Sequence, residues 1–403
     1  MRRLLTVLLA ILMVLTLAGC GQKEEAAPAE EAPAEKITIK FAAQGDSTPA
    51  TQQSIDDFNK SQDKYEVVWV DMSNDSGAMK DALKTSLSAG SSDYDVLSMD
   101  VCWAGEFAAA GYIAPIDEML KAAGLKVSDF NAGSMSAATY NAKTYGLPFF
   151  PDLGVLFFRK DIVSADDAAK LVAGDYTFAD LQAMAEKYKG QGGTTEGYFF
   201  QAKQGECLVC NTAEFTAEWK DIENGLKAFK SLTDSACTPA DILNYAEGET
   251  EQFMNGVAVF ARNWPYMNGC ETVLTADQIG YAPLPGGSCV GGWLLGLNKN
   301  SANVEGAFEF LKYLATEGQV VQATVGGHLP GYNATLTDSK VLDANKMLTD
   351  DGFKTALATT VSRPVSANYS EASDAIAIAV HAYLSGDAEL AATVDAVNAA
   401  LAK

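Results

Sequence analysis

Histidine and positive charge are scarce in this chain. It has two histidines, His328 and His381, and 29 Lys and Arg against 52 Asp and Glu, for a formal net charge of −23. Nucleic acids and anionic lipid surfaces bind clusters of Lys and Arg, so this charge argues against both as partners. The H-E-x-x-H spacing of zinc hydrolases and the G-x-S-x-G turn of serine hydrolases are missing. We therefore expect no metal and no cofactor.

Cysteine is also sparse, with seven in the chain. Cys207 and Cys210 have C-x-x-C spacing, but no second pair or histidine follows at the spacing of a zinc finger. Outside the cytoplasm such thiols can pair. Structural disulfides and unpaired buried thiols both stay open, and a metal or redox site at Cys207 and Cys210 is the less favoured interpretation. The cysteines that follow residue 20 are Cys102, Cys207, Cys210, Cys237, Cys270 and Cys289.

A run of apolar residues lies at the start of this sequence. Arg2 and Arg3 precede a short apolar run that ends in Leu-Ala-Gly and then Cys20. The run is shorter than the roughly 20 residues that span a bilayer, and its composition is typical of an export signal. Leu-Ala-Gly before Cys20 resembles the lipobox of bacterial lipoproteins. This implies a signal peptide over 1–19 and acyl chains such as palmitate on Cys20; an ordinary secretory signal with a chance cysteine is the alternative.

Two acyl chains hold a protein at a membrane stably, whereas one chain binds only marginally. The resemblance therefore implies a lipid-anchored protein on the extracytoplasmic face of the cell membrane. Residues 20–36 continue with Pro, Ala and Glu and show no apolar period. Such a composition cannot bury a core, so we expect a flexible acidic linker between the anchor and the body of the protein.

Strand and helix patterns alternate at the start of the body. Period-two strands are predicted over 36–41, 65–70 and 94–99, with helices over 49–60 and 79–88 between them. This order predicts β-α-β units and a parallel sheet, and hence the α/β class. Ligands of such sheets bind beyond the carboxyl ends of the strands. Asp46, Asp71 and Asp100 follow those ends, although Asp is also a good helix cap.

Seven segments along the body carry a family resemblance. They include Asp-Val-Leu-Ser-Met-Asp at 95–100, Arg-Asn-Trp-Pro-Tyr at 262–266 and Gly-Gly-Trp at 291–293. With these segments in this order, the chain resembles the family 1 extracellular solute-binding proteins of ABC importers, especially their trehalose/maltose-binding branch. The other four segments lie at 147–161, 307–313, 326–330 and 362–369.

The resemblance implies a two-lobed, periplasmic-binding-protein-like α/β fold of type II, with mainly parallel central sheets and hinge crossings. The first lobe would hold 37–151 plus about 294–335. The second would hold 152–293 plus about 336–403. A ligand that touches both lobes only in the closed form would favour that form.

The resemblance also implies ligand-binding carboxylates near the hinge. Asp100 and Asp152 match acids that accept sugar hydroxyls, a strong kind of hydrogen bond. Asp100 has a second interpretation as a helix cap. Phe150 stands where the family often has Tyr, so stacking is retained and a phenolic hydroxyl is lost. The first-loop acid of the family is not clearly matched, and Asp46 is the candidate for it.

Aromatic, glycine and arginine positions complete the predicted site. Trp264 and Trp293 match platforms that cover the apolar face of a sugar, and both stand beside chain breakers. Gly291 and Gly292 would let backbone amides approach the ligand. Arg363 matches an arginine that donates to hydroxyls; an interlobe salt bridge is its alternative role.

These expectations describe a binding protein without catalytic residues. We expect a monomer that captures a sugar, an α-linked di- or oligosaccharide, and delivers it to the transmembrane subunits of an ABC permease. Another polar solute is one alternative. A secreted glycosidase is a second, because Asp100 and Asp152 could supply its two carboxylates. A lipid-anchored scaffold is a third, and it predicts no enclosed pocket.

Overall fold

The computed structural model describes residues 36–46 and 48–402. The predicted export signal, Cys20 and all but the last residue of the linker lie outside these residues. Within them, no helix combines the length and apolar character needed to cross a bilayer.

The described chain alternates strands and helices along most of its length. The strands are β1 (Ile37–Gln44), β2 (Tyr65–Met72), β3 (Val96–Asp100), β4 (Thr139–Tyr140), β5 (Lys143–Thr144), β6 (Gly146–Leu153), β7 (Val155–Arg159), β8 (Glu196–Phe199), β9 (Ala258–Asn263), β10 (Ile279–Ala282), β11 (Ser288–Leu297) and β12 (Thr360–Val361). The helices are α1 (Ala50–Ser61), α2 (Ser76–Ser88), α3 (Ala104–Ala109), α4 (Asp117–Ala122), α5 (Ala132–Ala137), α6 (Ala165–Ala173), α7 (Phe178–Tyr188), α8 (Glu206–Phe215), α9 (Ile222–Thr233), α10 (Glu247–Thr250), α11 (Val304–Ala315), α12 (Gln319–Val325), α13 (Ser339–Ala344), α14 (Asp351–Ala358), α15 (Tyr369–Ser385) and α16 (Leu390–Leu401).

The first sheet has the order β12-β11-β3-β1-β2, and β6 also pairs with β11. β1 runs parallel to β2 and β3, as the β-α-β pattern predicts. β11 is antiparallel to β3 and β6. Residues 96–99 of β3 are all buried, which is usual for a strand covered on both faces. A core that includes Phe41, Leu97, Leu295 and Phe310 packs around this sheet.

The second sheet has the order β10-β7-β9-β8. β7 is antiparallel to its neighbours β9 and β10, and β8 runs parallel to β9. One core, with Phe158, Phe200 and Phe229, covers one face of this sheet. A second core, with Phe157 and Phe353, covers the other.

The chain changes sheets at two places. Leu153 ends β6 in the first sheet and Val155 begins β7 in the second, and the chain returns between β10 and β11. We call the parts built on the first and second sheets the first lobe and the second lobe. The predicted two-lobed α/β class is confirmed. Both sheets are mixed, because β11 is antiparallel to β3 and β6 in the first sheet and β7 is antiparallel to β9 and β10 in the second. The exact lobe limits remain a prediction.

A buried ion pair lies beneath the two crossings. Arg262 of β9 is 0% exposed and donates through Nη2 to Oε1 of Glu214, on α8, at 2.7 Å. The same oxygen accepts a hydrogen bond from the amide of Cys289 at 3.0 Å. A Cβ on Gly154 would lie 2.0 Å from it. One carboxylate therefore contacts both crossing segments, and glycine at 154 is the residue that leaves space for it.

Candidate ligand-binding cleft

A cavity of about 670 Å³ lies between the crossing strands and the loops of both lobes. The first lobe contributes the loop after β1, the crossings contribute aromatic and acidic side chains, and the second lobe contributes the segment after β9. This size falls in the ordinary range of roughly 300–1,000 Å³ for small-molecule sites. The lining residues are Asp46, Thr48, Phe150, Pro151, Asp152, Pro265, Tyr266, Asn268, Gly269, Cys270, Trp293, Gly326, Gly327, His328, Leu329, Ala344, Asn345 and Met347.

A smaller cavity of about 300 Å³ adjoins the first lobe at the end of β3. Asp100, Trp103 and Glu206 are among its lining residues. Trp103 meets Trp293 of the larger cavity edge to face, with ring centroids 5.5 Å apart. Five of the predicted site residues line these two cavities: Asp46, Phe150, Asp152 and Trp293 line the larger one and Asp100 lines the smaller one. The other four, Trp264, Gly291, Gly292 and Arg363, line neither. The indoles of Trp103 and Trp293 are in contact between the two cavities.

Two carboxylates line the larger cavity, and Asp152 is the one with more free capacity to accept hydrogen bonds from a ligand. It is partly buried, and its Oδ1 accepts a hydrogen bond from the amide of Leu153 at 2.9 Å. Loss of hydration raises the pKa of Asp152 to about 7, although the Leu153 amide and the charge of Arg262 oppose this. Its Oδ2 accepts no hydrogen bond from the described residues. The side chain can therefore accept hydrogen bonds from a ligand when it is ionised.

Aromatic faces line the same cavity. Trp293 is half-buried on β11, in register with Asp100 of β3 and Phe150 of β6. The ring of Phe150 lies flat on the imidazole of His328, with centroids 4.2 Å apart and an interplanar angle of 14°. Such rings can cover the apolar C–H face of a sugar while nearby polar groups bind its hydroxyls.

Arg363 joins the two lobes through ion pairs. It is 7% exposed, and its Nη1 donates to Glu206 of α8 at 2.7 Å while Nη2 donates to Asp100 at 3.3 Å. Burial alone would raise the pKa of Glu206, but the charge of Arg363 and hydrogen bonds from Tyr369, Arg363 and Ser373 keep it below the ordinary value. Arg363 therefore forms the interlobe salt bridge that was the alternative interpretation of this residue. Its donation of hydrogen bonds to a ligand remains a prediction.

Asp100 and Asp46 both accept hydrogen bonds from backbone amides at the start of a helical segment. Asp100 accepts a hydrogen bond from the amide of Cys102 at 3.1 Å. Asp46 accepts bonds from the amides and hydroxyls of Thr48 and Thr51, at 2.7–3.0 Å, and so holds the start of α1. Burial alone would raise the pKa of Asp46, but the hydrogen bonds from Thr51 and Thr48 hold it below its ordinary value. Both acids line cavities. Both oxygens of Asp46 accept these bonds, whereas the Cys102 amide and Arg363 both contact Oδ1 of Asp100.

Trp264 packs within the protein beside the cleft. The guanidinium of Arg262 lies 4.1 Å from its ring centroid, and a Cβ on Gly291 would lie 2.8 Å from its ring. Trp264 lines neither of the two cavities. Gly292 has φ +95°, and a Cβ there would lie 2.4 Å from the carbonyl oxygen of Phe150. The two glycines thus permit close packing of β11, and contact with a ligand remains a prediction for all three residues.

The polar side chains at the cleft that sequence reasoning did not predict as ligand-binding include Glu206, Tyr266, His328 and Asn345. The signal for His328 was present, because Gly-Gly-His-Leu-Pro is one of the seven family-like segments. No local sequence pattern pointed to Glu206, because its ion pair with Arg363 forms only when α8 packs near Arg363.

The six cysteines among the described residues are unpaired, and Cys102, Cys210, Cys237 and Cys289 are buried. Cys207 and Cys210 lie on α8. Within the part of the chain that the structure describes, no group of three His, Cys, Asp or Glu side chains is arranged to hold a metal ion.

Comparison with known proteins identifies the family of this chain. The model of the family described as bacterial extracellular solute-binding protein matches residues 43–321. A probable ABC transporter-binding protein of Deinococcus radiodurans is 27% identical over 397 residues, which covers 86% of this chain and 92% of that protein. A maltotriose-binding protein of Pyrococcus abyssi is 26% identical over 293 residues, covering 65% of this chain and 60% of that protein.

The fold also matches solved structures. The structure of maltose-bound T. maritima MalE3 has a TM-score of 0.75 and 26% sequence identity, and the match covers 91% of this chain and 99% of that one.

Proposed function

The chain belongs to the family of bacterial extracellular solute-binding proteins, and from this premise we propose that it captures an α-linked di- or oligosaccharide for an ABC permease. The observation that carries the proposal is the cavity of about 670 Å³, which is lined both by Trp293 and by Asp152, whose Oδ2 accepts no hydrogen bond from the described residues. An aromatic face and a carboxylate acceptor are what a sugar ring requires. Similarity to a maltose-bound structure supports the sugar class.

The proposed protein binds its sugar and performs no chemistry. A glycosidase needs two carboxylates that flank one bond, roughly 5–9.5 Å apart. Here Asp152 lines the larger cavity and Asp100 the smaller, where Arg363 and the amide of Cys102 engage it. The other carboxylate of the larger cavity, Asp46, accepts hydrogen bonds from Thr48 and Thr51 at both oxygens. These arrangements favour a binder over a secreted glycosidase. A binding protein for another polar solute is the remaining alternative.

Titration calorimetry with maltose, maltotriose, glucose, polyols and amino acids tests the proposal. We expect tight binding of one sugar class with no product on analysis of the mixture. Trp293→Ala is expected to weaken that binding about 10- to 100-fold, the effect of losing a central aromatic anchor. Trp69→Ala is the matched control, because Trp69 packs on the first-lobe core and lines neither cavity.

Binding of amino acids alone would contradict the sugar assignment, and sugar turnover would favour the glycosidase. Equal sugar affinities of the wild type and Trp293→Ala would show that Trp293 does not contribute to binding.

We further propose that Cys20 carries the lipid anchor and that the protein works as a monomer on the extracytoplasmic face of the cell membrane. Cys20→Ser should move the protein from the membrane fraction to the soluble fraction in a host with lipoprotein-processing enzymes, because the acyl chains provide the attachment. Cys270→Ser, in the folded body, should leave the distribution unchanged. Continued membrane attachment of Cys20→Ser would refute the anchor.

A further inference from the structure

His328 is held in one orientation at the edge of the larger cavity. Its ring lies flat on Phe150, and its Nδ1 lies 2.8 Å from Oε1 of Gln322 on α12. Its backbone amide donates to the carbonyl oxygen of Gln322 at 3.1 Å. Stacking fixes the plane of the imidazole, and the two contacts with Gln322 fix which edge of it faces the protein.

A chain of hydrogen bonds determines the tautomer of this imidazole. The hydroxyl of Ser54 donates to the carbonyl oxygen of Ala50 at 2.9 Å, so its oxygen is left to accept from Nε2 of Gln322 at 3.0 Å. The amide oxygen of Gln322 then faces His328. A carbonyl oxygen only accepts, so the imidazole hydrogen lies on Nδ1.

The opposite nitrogen of the ring is consequently an acceptor. Burial lowers the pKa of His328, and the charge of Asp46 opposes this only in part, so the ring is neutral at pH 7. Nε2 then carries a lone pair, and it makes no hydrogen bond with the described residues. Because the Nδ1 edge contacts Gln322 and His328 lines the cavity, the Nε2 edge is left for a ligand.

We propose that Nε2 of His328 is a specificity-determining acceptor, which takes a hydrogen bond from a ligand hydroxyl at a position separate from that bound by Asp152. The inference rests on the proposed function and narrows it to ligands that present two hydroxyl donors to this cavity. A deoxy or O-methyl analogue at the second position would leave Nε2 without a partner. Such analogues should bind about 5- to 50-fold more weakly than the parent sugar.

The tautomer can be measured directly, because the chain has two histidines. In protein labelled with ¹⁵N-histidine, His381→Gln assigns the signals and leaves the cleft intact. We expect the neutral Nδ1–H form of His328 in the free protein and a shift of its Nε2 signal on addition of maltose. An Nε2–H tautomer, an imidazolium at pH 7, or an Nε2 signal unchanged by bound maltose would overturn the proposal.

Two variants distinguish the hydrogen bond accepted by Nε2 of His328 from the stacking of its ring on Phe150. His328→Phe keeps a flat ring against Phe150 and removes the acceptor, so maltose should bind about 5- to 50-fold more weakly. Gln322→Glu places an anion beside Nδ1, which should protonate the ring and weaken binding although His328 is unchanged. His381→Phe, on α15, is the control. Wild-type affinity in His328→Phe would refute the acceptor, whereas failure of the wild type to bind any sugar would refute the proposed function itself.

Discussion

Glu214→Ala is expected to lower the free energy of unfolding by about 3–5 kcal/mol, the effect of leaving a buried charge without its partner. Arg262 is 0% exposed, and burial alone would lower its pKa; the charge and hydrogen bonds of Glu214 more than offset this and keep the guanidinium protonated. The variant also leaves the buried amide of Cys289 without its acceptor. Both effects act at the crossing between the lobes.

Urea denaturation of the wild type and the variant measures this loss. Glu223→Ala is the matched control, since Glu223 forms an exposed pair with Lys227 at 2.6 Å on α9 and exposed pairs contribute little. The double variant Glu214→Leu with Arg262→Met replaces the pair by apolar side chains and should recover much of the loss. Equal stabilities of Glu214→Ala and Glu223→Ala would show that the buried pair does not stabilise the crossing.

Asp152→Asn is expected to weaken sugar binding about 10- to 100-fold, because an ionised acceptor forms stronger hydrogen bonds than an amide. The same change should stabilise the unliganded protein at neutral pH. Loss of hydration raises the folded-state pKa of Asp152 to about 7 from an ordinary 3.8. Folding therefore favours the protonated acid, and its contribution to stability is full below the ordinary pKa and is lost as pH rises through 7.

The pH dependence of binding has the opposite sign. A ligand hydroxyl binds the ionised carboxylate, so wild-type affinity should fall as pH decreases from 8 to 6, and Asp152→Asn should show a flatter profile. Among the neighbours, Asp46 has a lowered pKa and remains ionised, and His328 has a lowered pKa and remains neutral at pH 7. Calorimetry across this range provides the measurement, with Asp277→Asn on an exposed turn as the control. Affinity that rises as pH decreases would exclude Asp152 as the acceptor.

The start of the fold followed directly from local patterns. Strands β1, β2 and β3 and helices α1 and α2 lie within a few residues of their predicted positions, because periods of two and of about 3.6 residues are local properties of the chain. The seven family-like segments likewise gave the family and the two-lobed class. The same reasoning gave no sign of mixed sheets, since β11 joins β3 antiparallel only after the chain has returned from the second lobe.

The candidate site was less accessible to sequence reasoning. Asp46, Asp100 and Asp152 look alike as acids near strand ends, and the sequence does not show how each carboxylate is bonded. In the structure, Thr48 and Thr51 donate hydrogen bonds to Asp46. Arg363 and the amide of Cys102 donate hydrogen bonds to Asp100.

The sequence by itself determined the class of fold and the family, because these depend on local periodicity and on short segments of characteristic composition. The tertiary structure decided which polar groups are left for a ligand. Asp152 keeps an open oxygen, His328 is oriented by Gln322, and Glu214 meets Arg262 from a position 48 residues earlier in the chain. Hydrogen bonds and ion pairs of this kind depend on distances of about 3 Å between particular atoms, which local periodicity does not determine. The pair of Glu214 and Arg262, in addition, joins residues that only folding brings together.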